Sequence, residues 1–148
     1  MSNTNSIPMK HLLEKRIKIA LVGTYLFGSG VLYPQTQEDV HQFFERQAAK
    51  LNAERAKHST PEIEIIKVDY DRRLSTLSYT YRGDLAKSRN KMSSKDELMV
   101  MKATLVNSAC NGTLAPFMRQ HNLRLTHTYF SKETNQHIHT FEVTKRDC

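Results

Sequence analysis

Hydrophobic residues recur along this chain with three different spacings, and each change of spacing predicts a change of element. From Ile19 to Tyr33 they are nearly continuous, reading IALVGTYLFGSGVLY, fifteen residues without a charge. A membrane span takes about 20 apolar residues. Ile17 extends the run, and Lys18 can lay its stem along apolar surface while its ammonium reaches the headgroups. A transmembrane anchor is therefore expected over 19–33. A cleaved signal segment is the alternative, because Gly28-Ser29-Gly30 offers small residues behind a short apolar stretch.

Beyond Pro34 the spacing becomes helical. Thr36 followed by Asp39 has the form of an N-cap with an acidic first turn, and Val40, Phe43, Phe44 and Leu51 recur on one side up to Lys57. This predicts a juxtamembrane amphipathic helix within 34–60. His58, Ser59, Thr60 and Pro61 end it, and a folded domain is expected over 61–148.

In that domain the first spacing is two. EIEIIKVDY (62–70) and LSTLSYTY (74–81) are rich in β-branched and aromatic residues and are separated by Asp71-Arg72-Arg73, which predicts a hairpin with Leu77, Tyr79 and Tyr81 on a buried face. Ser94-Lys95-Asp96-Glu97 then has capping-box spacing. The helix it opens carries Leu98, Met101, Leu105 and Ala109 on one stripe, with Met99, Val106 and Cys110 flanking, and stops at Asn111-Gly112. A second helix over 113–121 accommodates Pro116 in its first turn. Segments 123–130 and 137–145 predict a second hairpin. The expected fold class is α+β: a ββααββ domain whose four-stranded, mostly antiparallel sheet carries helices on one face.

The charges sharpen this picture. The chain carries a net +7, of which residues 1–18 contribute +3 (Lys10, Lys15, Arg16 and Lys18 against Glu14), 36–60 are balanced, and 61–148 contribute +4 (fourteen basic against ten acidic residues). By the positive-inside rule residues 1–18 are expected in the cytoplasm and the C-terminal domain in the periplasm of a bacterial inner-membrane protein. Nucleic acid is an unpromising partner, because no aromatic residue interleaves the basic ones of the strongest local patch, Arg82, Lys87, Arg89, Lys91 and Lys95. That patch precedes a helix and suits an anion or an acidic partner.

Two cysteines are present, Cys110 and Cys148. Outside the cytoplasm such a pair forms a disulfide, and the bond expected here staples the end of the sheet to the first domain helix. Neither a Cys-x-x-Cys pair nor a prenylation spacing occurs.

Candidate chemistry is sparse. His137 and His139 are two apart and expected on one strand face, and His127 or His121 could approach from a neighbouring element to complete a metal site. No G-x-S-x-G or H-E-x-x-H occurs, and of five glycines three fall in the apolar run, so no phosphate-binding loop is built. No catalytic residue and no cofactor are expected.

The succession of a helical cysteine, LRLTHTYFSKETNQHIHTFEV and a last cysteine resembles small single-span proteobacterial envelope proteins, and the layout is similar to that of accessory and exclusion-type proteins of conjugative elements. The resemblance implies a location in the envelope and assigns no catalytic role. The expected function is a membrane-anchored periplasmic protein-interaction module, accessory to a secretion, conjugation or envelope complex. The alternative is a periplasmic ligand- or metal-binding domain.

Overall fold

The first turn of the first helix follows directly from its cap. Thr36 Oγ1 accepts the amide of Asp39 at 3.1 Å, while the Asp39 carboxylate accepts the Thr36 amide, also at 3.1 Å. This reciprocal box fixes the start of a 22-residue helix, α1 (Gln37–His58). The computed structural model describes residues 36–83 and 94–148. The expected anchor at 19–33 lies outside them, and among the described residues no helix is long and apolar enough to cross a membrane.

After α1 come strands β1 (Ile63–Asp71) and β2 (Thr76–Gly83), helices α2 (Ser94–Asn111) and α3 (Ala115–His121), strands β3 (Arg124–Ser131) and β4 (His137–Val143), and a 3-10 turn, Lys145–Asp147. Helix α2 stops where a side chain would not fit, since a Cβ on Gly112 would run into the carbonyl oxygen of Ser108. Asn122 ends α3 in the left-handed region at φ 53°, which asparagine tolerates.

The strands lie in sequence order, β1-β2-β3-β4. β1–β2 and β3–β4 are antiparallel and the central pair, β2–β3, is parallel. The sheet is thus mixed, and its central pairing departs from a meander for a topological reason. Two helices separate β2 from β3, a connection long enough to bring the chain back to the end of the sheet where β2 began.

All three helices contribute to one core with the sheet. Phe44 of α1 meets Phe117 of α3 edge-on with ring centroids 5.1 Å apart, and Tyr70 of β1 at 5.4 Å. Val40, Phe43, Phe44 and Leu51 are buried in the same cluster as Leu77, Tyr79, Leu105 and Leu125. The boundary expected at residue 61 therefore does not separate two packing units, because α1 covers β1 and belongs to the globular body. The opposite face of the sheet is polar: Thr126 donates to Ser78 across the parallel pair at 2.8 Å, and the Thr128 and Thr140 hydroxyls meet at 3.1 Å.

The two outer strands are finished differently. Along β1, the backbone groups that face away from β2 are met from α1 and the turn after it. Asn52 takes both the amide and the carbonyl of Val68 (2.8 and 2.5 Å), Ser59 Oγ accepts the Ile65 amide at 3.0 Å, and Thr60 Oγ1 accepts the Ile63 amide at 3.2 Å. Strand β4 has no comparable covering among the described residues.

Candidate protein-binding groove

Helix α2 turns Met101, Leu105 and Ala109 into the core. The next row round the helix, Leu98, Met99, Lys102 and Val106, is spaced by three and four residues and forms an adjacent ridge. Leu98 and Val106 are only partly buried, and Met99 is 57% exposed. Between this ridge and β4 runs an open groove of about 810 Å³, lined on the strand side by His139, Thr140, Phe141 and Glu142. Its floor is apolar, and its walls are a helix and a strand.

Charges rim the groove. Lys102 donates to the backbone oxygen of Glu142 and stands 3.4 Å from the Asp147 carboxylate. Asp147 is held below the ordinary carboxylate range first by the backbone N–H of Thr144 and then by Lys102. Glu142 faces Arg124 at 3.5 Å. Lys95 is exposed at the other end, with no ion-pair partner among the described residues. The lining is suited to holding an apolar segment.

The histidines do not converge as expected. His127 shares the inner face of β3 with Leu125 and Tyr129 and is fully buried. Its ring stacks on Tyr79 with centroids 5.0 Å apart, and Nδ1 lies 3.1 Å from the Tyr81 hydroxyl. Burial, with a smaller effect from the Lys102 charge, pushes its pKa down to about 3, so it is neutral at physiological pH. Nε2 has no hydrogen-bond partner among the described residues.

His137 and His139 were expected on one face, and they lie on opposite faces. Tyr129 pairs with His139 and Phe130 with His137, so Ile138 is an extra residue that interrupts the alternation. His139 packs edge-on against Phe141 at 4.5 Å, whereas His137 reaches Thr140 Oγ1 at 2.9 Å on the polar side. His121 lies away from them, 3.1 Å from Gln37 Oε1. No group of three or more metal-ligating side chains occurs among the described residues.

Of the basic patch, Arg82 is turned across the sheet toward Glu64 at 3.9 Å, and Lys95 joins the groove. Lys87, Arg89 and Lys91 lie outside the described residues. The expected disulfide is present: Cys110 is bonded to Cys148, with Cα atoms 5.3 Å apart.

Sequence spacing pointed to Leu98, Met99 and Val106 as helix-face residues but not to their partial exposure. The signal was the position of Lys102 between Met99 and Val106, since a lysine inside an apolar row marks surface that the core does not cover.

No protein-family model matches the sequence, and no curated protein does. Solved structures do share the fold. A protein of Pseudomonas aeruginosa provisionally described as secreted superposes with a TM-score of 0.59 at 14% identity, covering 78% of this chain and 98% of its own. The type II secretion system pilotin AspS of Vibrio cholerae gives 0.55 at 15% identity, and the pilotin EpsS of Vibrio vulnificus type 2 secretion gives 0.56 at 12%. Each pilotin match covers 76% of this chain and 94% of the pilotin. At these identities the likeness establishes the fold: the chain is built like type II secretion pilotins.

Proposed function

We propose that this chain is a non-enzymatic accessory protein of a bacterial secretion complex, which holds a partner protein in the groove between α2 and β4. The observation that carries this reading is the row Leu98, Met99 and Val106, left open beside an outer strand on a fold shared with two secretion pilotins. A contiguous apolar patch rimmed by charge is the surface expected of a protein-binding site.

The location proposed is the cell envelope. The Cys110–Cys148 bond belongs to an oxidising compartment. The uncharged stretch at 19–33, with Lys10, Lys15, Arg16 and Lys18 before it, would serve as an inner-membrane anchor with the C-terminal body in the periplasm.

Purifying the full chain from detergent-solubilised envelopes tests the role. One stoichiometric companion, identified by mass spectrometry as a component of a secretion machine, is the expected result. Elution of the chain alone, or with a companion unrelated to secretion, overturns the proposal.

A further inference from the structure

The groove is touched by four successive residues of β4, His139 to Glu142. Because neighbouring side chains of a strand point to opposite faces, a groove that meets four in a row runs along the strand's edge, not across one face. Among the described residues no strand pairs with this edge, and one of its outward carbonyls is met by a side chain only. Lys102 donates to the carbonyl of Glu142, which therefore faces away from β3, and Thr140, two residues earlier, presents its amide and carbonyl in the same direction. The close meeting of the Thr128 and Thr140 hydroxyls marks that pair as one that exchanges no backbone hydrogen bonds, in agreement with this direction. At the other edge of the sheet, Asn52, Ser59 and Thr60 satisfy the corresponding groups of β1. Among the described residues, one edge of the sheet is thus closed and the other is left unpaired beside an apolar ridge.

We infer that the partner is captured as an added strand: an extended segment of a second protein pairs with β4 through the amide and carbonyl of Thr140 and the amide of Glu142, and drops alternate apolar side chains onto Leu98, Met99 and Val106. This rests on the proposed function above and specifies how its partner is held. Strand addition satisfies the open backbone groups and uses the ridge for side-chain selection, a division of labour that a helix in the groove would not provide. The four strand residues span about 13 Å, matching about 16 Å of helix between Lys95 and Val106, so the segment presents two or three inward side chains. Charge sets its direction. Lys102 with Asp147 and Arg124 with Glu142 are already paired, whereas Lys95 stands without an ion-pair partner among the described residues. The segment therefore places an acidic residue at the Lys95 end.

The test is selection of a displayed random decapeptide library on the full chain in detergent. The expected consensus has apolar residues at alternate positions and an acidic residue at one end. Its binding should fall at least tenfold in Thr140→Pro, which removes the outward amide at a position where an edge strand tolerates proline, and should survive in Thr140→Val, which keeps that amide. Retention of the disulfide and of the melting temperature shows that the proline variant is folded. A consensus with apolar residues three and four apart, no enrichment at all, binding indifferent to Thr140→Pro, or a chain dimerised through β4 each overturns strand addition. If the detergent experiment still yields its secretion companion in those cases, the proposed function stands and only the mode of capture fails.

Discussion

Cys110 of α2 is bonded to Cys148, which follows the 3-10 turn after β4, so the disulfide ties together the two walls of the groove. It spans a separation of 38 residues, and on the chain-entropy estimate a loop of that size stabilises the fold by about 4 kcal/mol. Reduction, or Cys148→Ser, should lower the melting temperature by at least about 10 °C. A shift of only a degree or two would show that α2 and β4 are held by packing alone.

Phe44 probes whether α1 is part of the body. It is wholly buried among Phe43, Phe117 and Tyr70, and Phe44→Ala should cost about 3–5 kcal/mol in a single cooperative transition. Urea unfolding followed by circular dichroism distinguishes the cases. A separate juxtamembrane helix would instead leave the main transition in place and lose only a helical shoulder.

His127 makes stability depend on pH in a definite direction. Its folded pKa of about 3 lies below the ordinary value of 6.5, so the unfolded chain takes up the proton first. The stabilisation is complete above about pH 6.5 and is lost as pH falls through that value toward 3, by up to about 1.4 kcal/mol per pH unit. Between pH 7 and pH 5 the loss should come to roughly 2 kcal/mol, measured by denaturant titration, and His127→Phe should flatten it. A wild-type stability that is level across that interval would mean that the ring is solvated.

The topology is open to a direct assay. A reporter fused after Cys148 should be active on the periplasmic side, and thiol trapping should find no free thiol without reductant. Cytoplasmic activity with two free thiols would remove the basis for an envelope role.

The parts of the fold that were legible in sequence are those set by local chemistry. The Thr36–Asp39 box announced α1, and the alternation of Leu77, Tyr79 and Tyr81 announced the buried face of β2. Burial of His127 was also legible, since it alternates with Leu125 and Tyr129, but an isolated histidine invites a ligand reading more readily than a core one. Two features depend on long-range geometry and leave little local trace. One is the bulge at Ile138, which sends His137 and His139 to opposite faces. The other is the openness of the α2–β4 groove, which arises because Asn52 and Ser59 cover β1 while no element packs outside β4 among the described residues. The site is a property of what the fold leaves uncovered, which no spacing rule encodes.

Among the described residues, Met99 and Leu74 are the two large apolar ones left exposed, at 57% and 59%. Met99 lies in the groove, and Leu74 sits in the turn between β1 and β2. They therefore form a matched pair for site-specific photo-crosslinking in growing cells, with the photoreactive residue placed at one position or the other in the full chain. A single crosslinked product containing a secretion-complex protein is expected from position 99, and none from position 74. Equal labelling at both positions, or crosslinks from 99 only to a second copy of this chain, would contradict it.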